Sequence, residues 1–91
     1  PNITGVIDSP DPVIINDTNI IDCNATDNIS IDTVLVEINH PSSGPHNYTM
    51  TNISSAVYRY SYSPNESGTY TYRIYANNTN GEWAESGIYS F

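Results

Sequence analysis

The side chains best placed to carry chemistry in this chain are asparagines. Twelve asparagines and twenty serines and threonines fall among 91 residues, and eight of the asparagines open an Asn-x-Ser/Thr triplet with no proline at its centre: Asn2, Asn16, Asn24, Asn28, Asn47, Asn52, Asn65 and Asn77. With hydroxyl residues at about 22% of positions, chance placement would give about 2.6 such triplets, so eight is an excess of the acceptor motif for N-linked sugars. The chemistry is attachment of a sugar to the amide nitrogen, which implies export from the cell. The competing reading is a Thr/Asn-rich β protein that forms these triplets for its turns.

Other chemical candidates are thin. His40 and His46 stand in HPSSGPH, without the spacing of a nucleophilic triad or the ligands of a closed zinc site, and are expected in an exposed loop. Glu82 and Glu85 flank Trp83 with nothing to form the cleft that glycoside hydrolysis needs between two acids. Asp8, Asp11, Asp27 and Asp32 are hard oxygen donors near expected strand ends and form the weak calcium candidates. No Asp-x-Asp-x-Asp-Gly loop accompanies them, and no metal or other cofactor is expected. Trp83 follows the Asn80-Gly81 turn, where its indole would cap the end of the fold or offer a face to a sugar. Cys23, the only cysteine, reads first as a buried apolar thiol and second as half of an inter-subunit disulfide. An enzyme is not expected.

The charge balance narrows the partners. Arg59 and Arg73 are the only basic residues against ten acids, a formal charge of -8, so attraction to nucleic acid or to an anionic membrane is excluded on electrostatic grounds. No apolar run approaches the roughly 18 residues of a spanning helix, and membrane insertion is not expected. The chain opens at Pro1 without a charged-then-apolar leader, which points to a processed product or one domain of something longer.

The elements that must position these side chains are strands. Tyr, Thr, Ile and Val recur with period two between Pro, Gly, Asn and Ser clusters, and no stretch sustains a period of 3.6. The pattern predicts strands at residues 3–7, 13–15, 19–25, 33–39, 48–50, 56–62, 69–77 and 85–91. Seven or eight strands in one domain of this length predict an all-β, two-sheet sandwich. Alternation sends Ile21, Cys23, Ala25, Val34, Val36 and Ile38 inward, with Tyr58, Tyr60, Tyr62, Tyr70, Tyr72, Ile74 and Ala76. Asn24, Leu35, Glu37, Arg73, Tyr75 and Asn77 then face outward. Leu35 lies near Tyr75, and Glu37 can pair with Arg73, if their strands are neighbours.

The segment SPNESGTYTYRIYANNTNGEWAES resembles the second half of fibronectin type III and related immunoglobulin-like repeats. The matching positions are Pro64, Tyr70, Tyr72, Ile74, Ala76, Asn78, Gly81 and Ser86, and Gly68-x-Tyr70 resembles a tyrosine corner. The chain departs from those families in lacking an early strand tryptophan and an RGD triplet, and in carrying Tyr72 where an immunoglobulin domain would place the partner of Cys23. Over most of its length it is similar to tandem immunoglobulin-like repeats of microbial, especially archaeal, cell-surface proteins. The resemblance implies an immunoglobulin-like (fibronectin type III-like) sandwich and one unit of a larger surface assembly. Its expected partners are copies of itself or neighbouring repeats, met end to end or through Leu35, Tyr75 and Trp83. A first strand donated to the next unit is one expected way of joining them. The alternative expectation is an adhesion or carbohydrate-binding module using Trp83 and Tyr75.

Overall fold

The computed structural model describes residues 1–9, 18–64 and 68–90. The calls on the strand at 13–15, Asp11, Asn16, Asn65 and Phe91 lie outside the described residues.

Period-two patterning becomes strand wherever one parity is apolar and the other polar. The elements are β1 (Asn2–Ser9), β2 (Asn19–Thr26), β3 (Ile31–His40), β4 (Gly44–Thr49), β5 (Thr51–Ser54), β6 (Val57–Tyr62), β7 (Thr71–Asn78), β8 (Trp83–Glu85) and β9 (Tyr89–Ser90). All pairings are antiparallel and no helix occurs among the described residues. One sheet runs β1-β2-β6-β5, the other β4-β3-β7-β8, with β9 also on β7. The two pack face to face as a β-sandwich.

The core lies between the sheets and is built by the three longest alternations. β2 contributes Ile21, Cys23 and Ala25, β3 contributes Val34, Val36 and Ile38, and β7 contributes Tyr72, Ile74 and Ala76, joined by Met50 and Tyr70. Each fully buried large aliphatic side chain stabilises by about 1.5–3 kcal/mol, so these short rows carry most of the driving force. Tyr48, Tyr58, Tyr60 and Tyr62 pack against this cluster while remaining half-exposed. Tyrosine thus takes the place of leucine and phenylalanine near the rim, where its hydroxyl can still reach a partner.

Both outer strands of the first sheet are irregular. In β1 the register slips between Thr4 and Ile7, where Gly5 adopts φ +59° and leaves Gly5 and Val6 opposite Cys23. This is a bulge that glycine permits because it lacks a Cβ. A Cβ at Gly5 would lie 2.8 Å from Asn24 Nδ2. β5 is a four-residue strand whose pairing shifts between Asn52 and Ser54.

The strand expected over 85–91 is instead broken into β8 and β9. Between them Ser86 donates its amide to the Ile74 carbonyl (2.8 Å), and its Oγ accepts the Ile74 amide (2.9 Å). A side chain therefore replaces one rung of backbone pairing and turns the chain out of the ladder. The strand expected at 69–77 begins at Thr71, and the one at 48–50 resolves into the end of β4 and the separate β5. The first strand, expected as one that could be donated to the next unit, pairs along β2 of its own chain.

A candidate sugar-bearing and contact surface

Six acceptor asparagines fall on described residues, and all avoid the core. Asn2, Asn28, Asn47 and Asn52 are exposed, whereas Asn24 and Asn77 are half-buried on outward positions of β2 and β7. Asn2 stands opposite Thr26 and Asn24 opposite Thr4, so these two, with Asn28 in the following loop, cluster at one end of the sandwich. Asn52 differs from the others. Its Nδ2 donates to the carbonyls of Ser55 (3.1 Å) and Val57 (3.2 Å), bracing a tight turn in which Ser55 adopts φ +35°.

The outer face of the second sheet is ordered in rows across its strands. One row is Thr49, Leu35, Tyr75 and Glu85; the next toward the β7–β8 turn is Thr33, Asn77 and Trp83; the next the other way is Asn47, Glu37 and Arg73. Leu35 and Tyr75 are therefore direct cross-strand neighbours, with acceptor triplets in the rows on both sides. Glu37 and Arg73 face each other across β3 and β7, but the guanidinium of Arg73 reaches Glu85 Oε2 at 3.5 Å. Trp83 is 53% exposed on β8 and does not cap the end of the sandwich. A second apolar strip, free of acceptors, lines a cleft of about 570 Å³ between β1 and β9 and includes Val6, Ile7, Tyr72, Ile88 and Tyr89.

At the end that carries Asn28, a polar knot joins two loops. Asn78 is buried, its Nδ2 donates to Asp27 Oδ2 (3.1 Å) and Glu82 Oε1 (2.8 Å), and its Oδ1 accepts the amides of Asn80 (3.0 Å) and Glu82 (3.1 Å). All four hydrogen-bonding positions of the carboxamide are filled. The Gly81 amide bonds the Asn78 carbonyl at 3.0 Å, and Gly81 takes φ +80°, closing the β7–β8 hairpin as a turn followed by a glycine bulge. The Ile29 amide (2.9 Å), then the amino group of Pro1, hold the Asp27 carboxyl down at about 2. Asp27 is thus engaged in loop structure, and Asp32 accepts from the Thr33 hydroxyl at 3.3 Å. Asp8 lines the cleft beside β9. Among the described residues no three His, Cys, Asp or Glu side chains gather as a metal site would require.

The opposite end is aromatic. His40 ends β3 half-buried, correcting the exposed loop expected of it, with Nδ1 2.8 Å from the Tyr62 hydroxyl and Nε2 3.2 Å from that of Tyr48. It links the two sheets, since Tyr62 belongs to β6 and Tyr48 to β4. His46, Tyr62 and Tyr70 surround its ring at centroid distances of 4.9, 5.4 and 5.6 Å. On the outer face of the first sheet, Arg59 grips Asp22 in a fork of 2.8 and 2.9 Å, and this carboxylate raises the arginine above its ordinary value. Cys23 is buried behind Asp22, and burial first, then the Asp22 charge, pushes its thiol up to about 11.

No protein-family model, curated protein or solved structure matches this chain.

Proposed function

We propose that this chain is a structural, non-catalytic domain of an exported glycoprotein. It serves as one N-glycosylated unit of a cell-surface stalk, sheath or filament whose units meet end to end. The observation that carries this reading is the placing of the acceptor triplets. Eight occur in 91 residues, and none of the six on described residues is buried; on β2 and β7 the acceptors take the outward positions although inward ones lay one residue away. Sugars at those positions hydrate the unit and shield it from proteases, and the apolar strips between them remain for contact.

An immunoglobulin-like type of sandwich is part of the same proposal. Its support is the strand order, β1-β2-β6-β5 over β4-β3-β7-β8, together with the Tyr70 to Ser86 motif. The deciding experiment is intact-mass and glycopeptide analysis of native material, with imaging of its assembly. Sugar on several of the eight sites and a linear repeat are expected, and an unmodified monomer near 10 kDa would overturn the reading.

The exposure of Trp83 favours one alternative, a carbohydrate-binding or adhesion module working through Trp83 and Tyr75. Glycan-array binding that disappears in Trp83→Ala would select it over the structural role.

A further inference from the structure

The carboxamide of Asn77 is fixed in direction. Its Oδ1 accepts the Thr33 amide at 2.8 Å, beside the register shift of β3 between Ile31 and Thr33. Thr33 lies on β3, one neighbour of β7, and oxygen and nitrogen diverge from the same amide carbon. Nδ2 is therefore turned away from the Thr33 amide on β3. Directly opposite Asn77 on β8 stands Trp83, on the same outer face and 53% exposed. Side chains opposed in this way have Cβ atoms about 4.5–5.5 Å apart. The acceptor nitrogen thus belongs to a side chain whose cross-strand neighbour is an exposed indole.

We propose that Trp83 is the platform for the first sugar of a glycan carried on Asn77 of the same chain, the apolar face of the pyranose lying on the indole. This rests on the glycoprotein reading above. The bond formed joins the sugar's anomeric carbon to Nδ2. The bond broken joins that carbon to the phosphate of a lipid-linked sugar donor; the phosphate departs with the bonding electron pair and takes up the proton that Nδ2 gives up. Oδ1 takes no part, so the Thr33 hydrogen bond that aims the group survives. Asn52 supplies the contrast: it also faces an aromatic ring, Tyr58, but its Nδ2 is committed to two backbone carbonyls. Trp83 is then a site for the molecule's own sugar, and its exposure needs no outside ligand.

Thr79→Ala provides the test, because it removes the triplet while leaving Asn77 and its bond to Thr33 in place, and Thr79 is itself exposed. Protein isolated from its native cells would be mapped by glycopeptide mass, and its single tryptophan titrated with acrylamide. The expected result is sugar on Asn77 and a quenching constant that rises about twofold in the variant, since a stacked ring covers one of two indole faces. Sugar on Asn77 with unchanged quenching overturns the proposal, as does sugar on other acceptors with Asn77 bare. Both of these results leave the glycoprotein reading standing, whereas sugar on none of the eight sites removes the two together.

Discussion

Single residues here do work that their types alone do not announce. Asn78 appeared in the sequence only as one letter of a resemblance, yet it ties Asp27, from a loop fifty-one positions away, to the β7–β8 turn. Replacing it with alanine strands the amides of Asn80 and Glu82 and should cost about 2–3 kcal/mol, measurable by urea unfolding. Asp27 gives the pH dependence. Its carboxyl falls from 3.8 to about 2 in the folded chain, so its contribution is complete above 3.8 and disappears as pH falls toward 2. Asp27→Ala should flatten the stability profile across that window and lower it above. Cys23 was legible, since parity alone sent it inward. With its thiol near 11 it should resist a disulfide reagent at pH 8 until the protein unfolds, and rapid labelling of native protein would contradict the buried placement. His40 was not legible, because the tyrosines that hold it come from two other strands and no local pattern records them.

At the scale of elements, the strongly alternating segments were readable and the edges were not. β2, β3 and β7 each set an apolar parity against a polar one, which fixes both strand and face. β5 has no buried residue, so nothing in TNIS separates it from a turn; only pairing with β6 makes it a strand. The break between β8 and β9 depends on the hydroxyl of Ser86 meeting the Ile74 amide, which is a tertiary event. Gly5 is the test at this level. Gly5→Ala forces an alanine into positive φ and drives its Cβ against the Asn24 amide, and a loss of about 1–3 kcal/mol is expected. A neutral substitution would mean that the bulge relaxes into regular pairing.

At the scale of the whole molecule, the sandwich measures 40 × 24 × 17 Å. Units joined through their ends should repeat at about 40 Å or slightly more along an axis, whereas side-by-side packing would show the shorter dimensions. Image averages of native assemblies distinguish the two. The backbone itself guards the sheet edges, without need of sugar. β1 carries the Gly5 bulge, β4 contains Pro45, β5 is short and shifted, and the last edge is split at Ser86. Protein made without sugar should therefore remain free of thioflavin-binding fibres at high concentration, and Ser86→Val, which removes the side chain that holds the split open, should be the variant that seeds them. For the surface assembly proposed above, the hydroxyl of Ser86 would set a density limit: copies crowded into a thin layer would stay separate folded bodies, where an unbroken edge would fuse them into one cross-β solid.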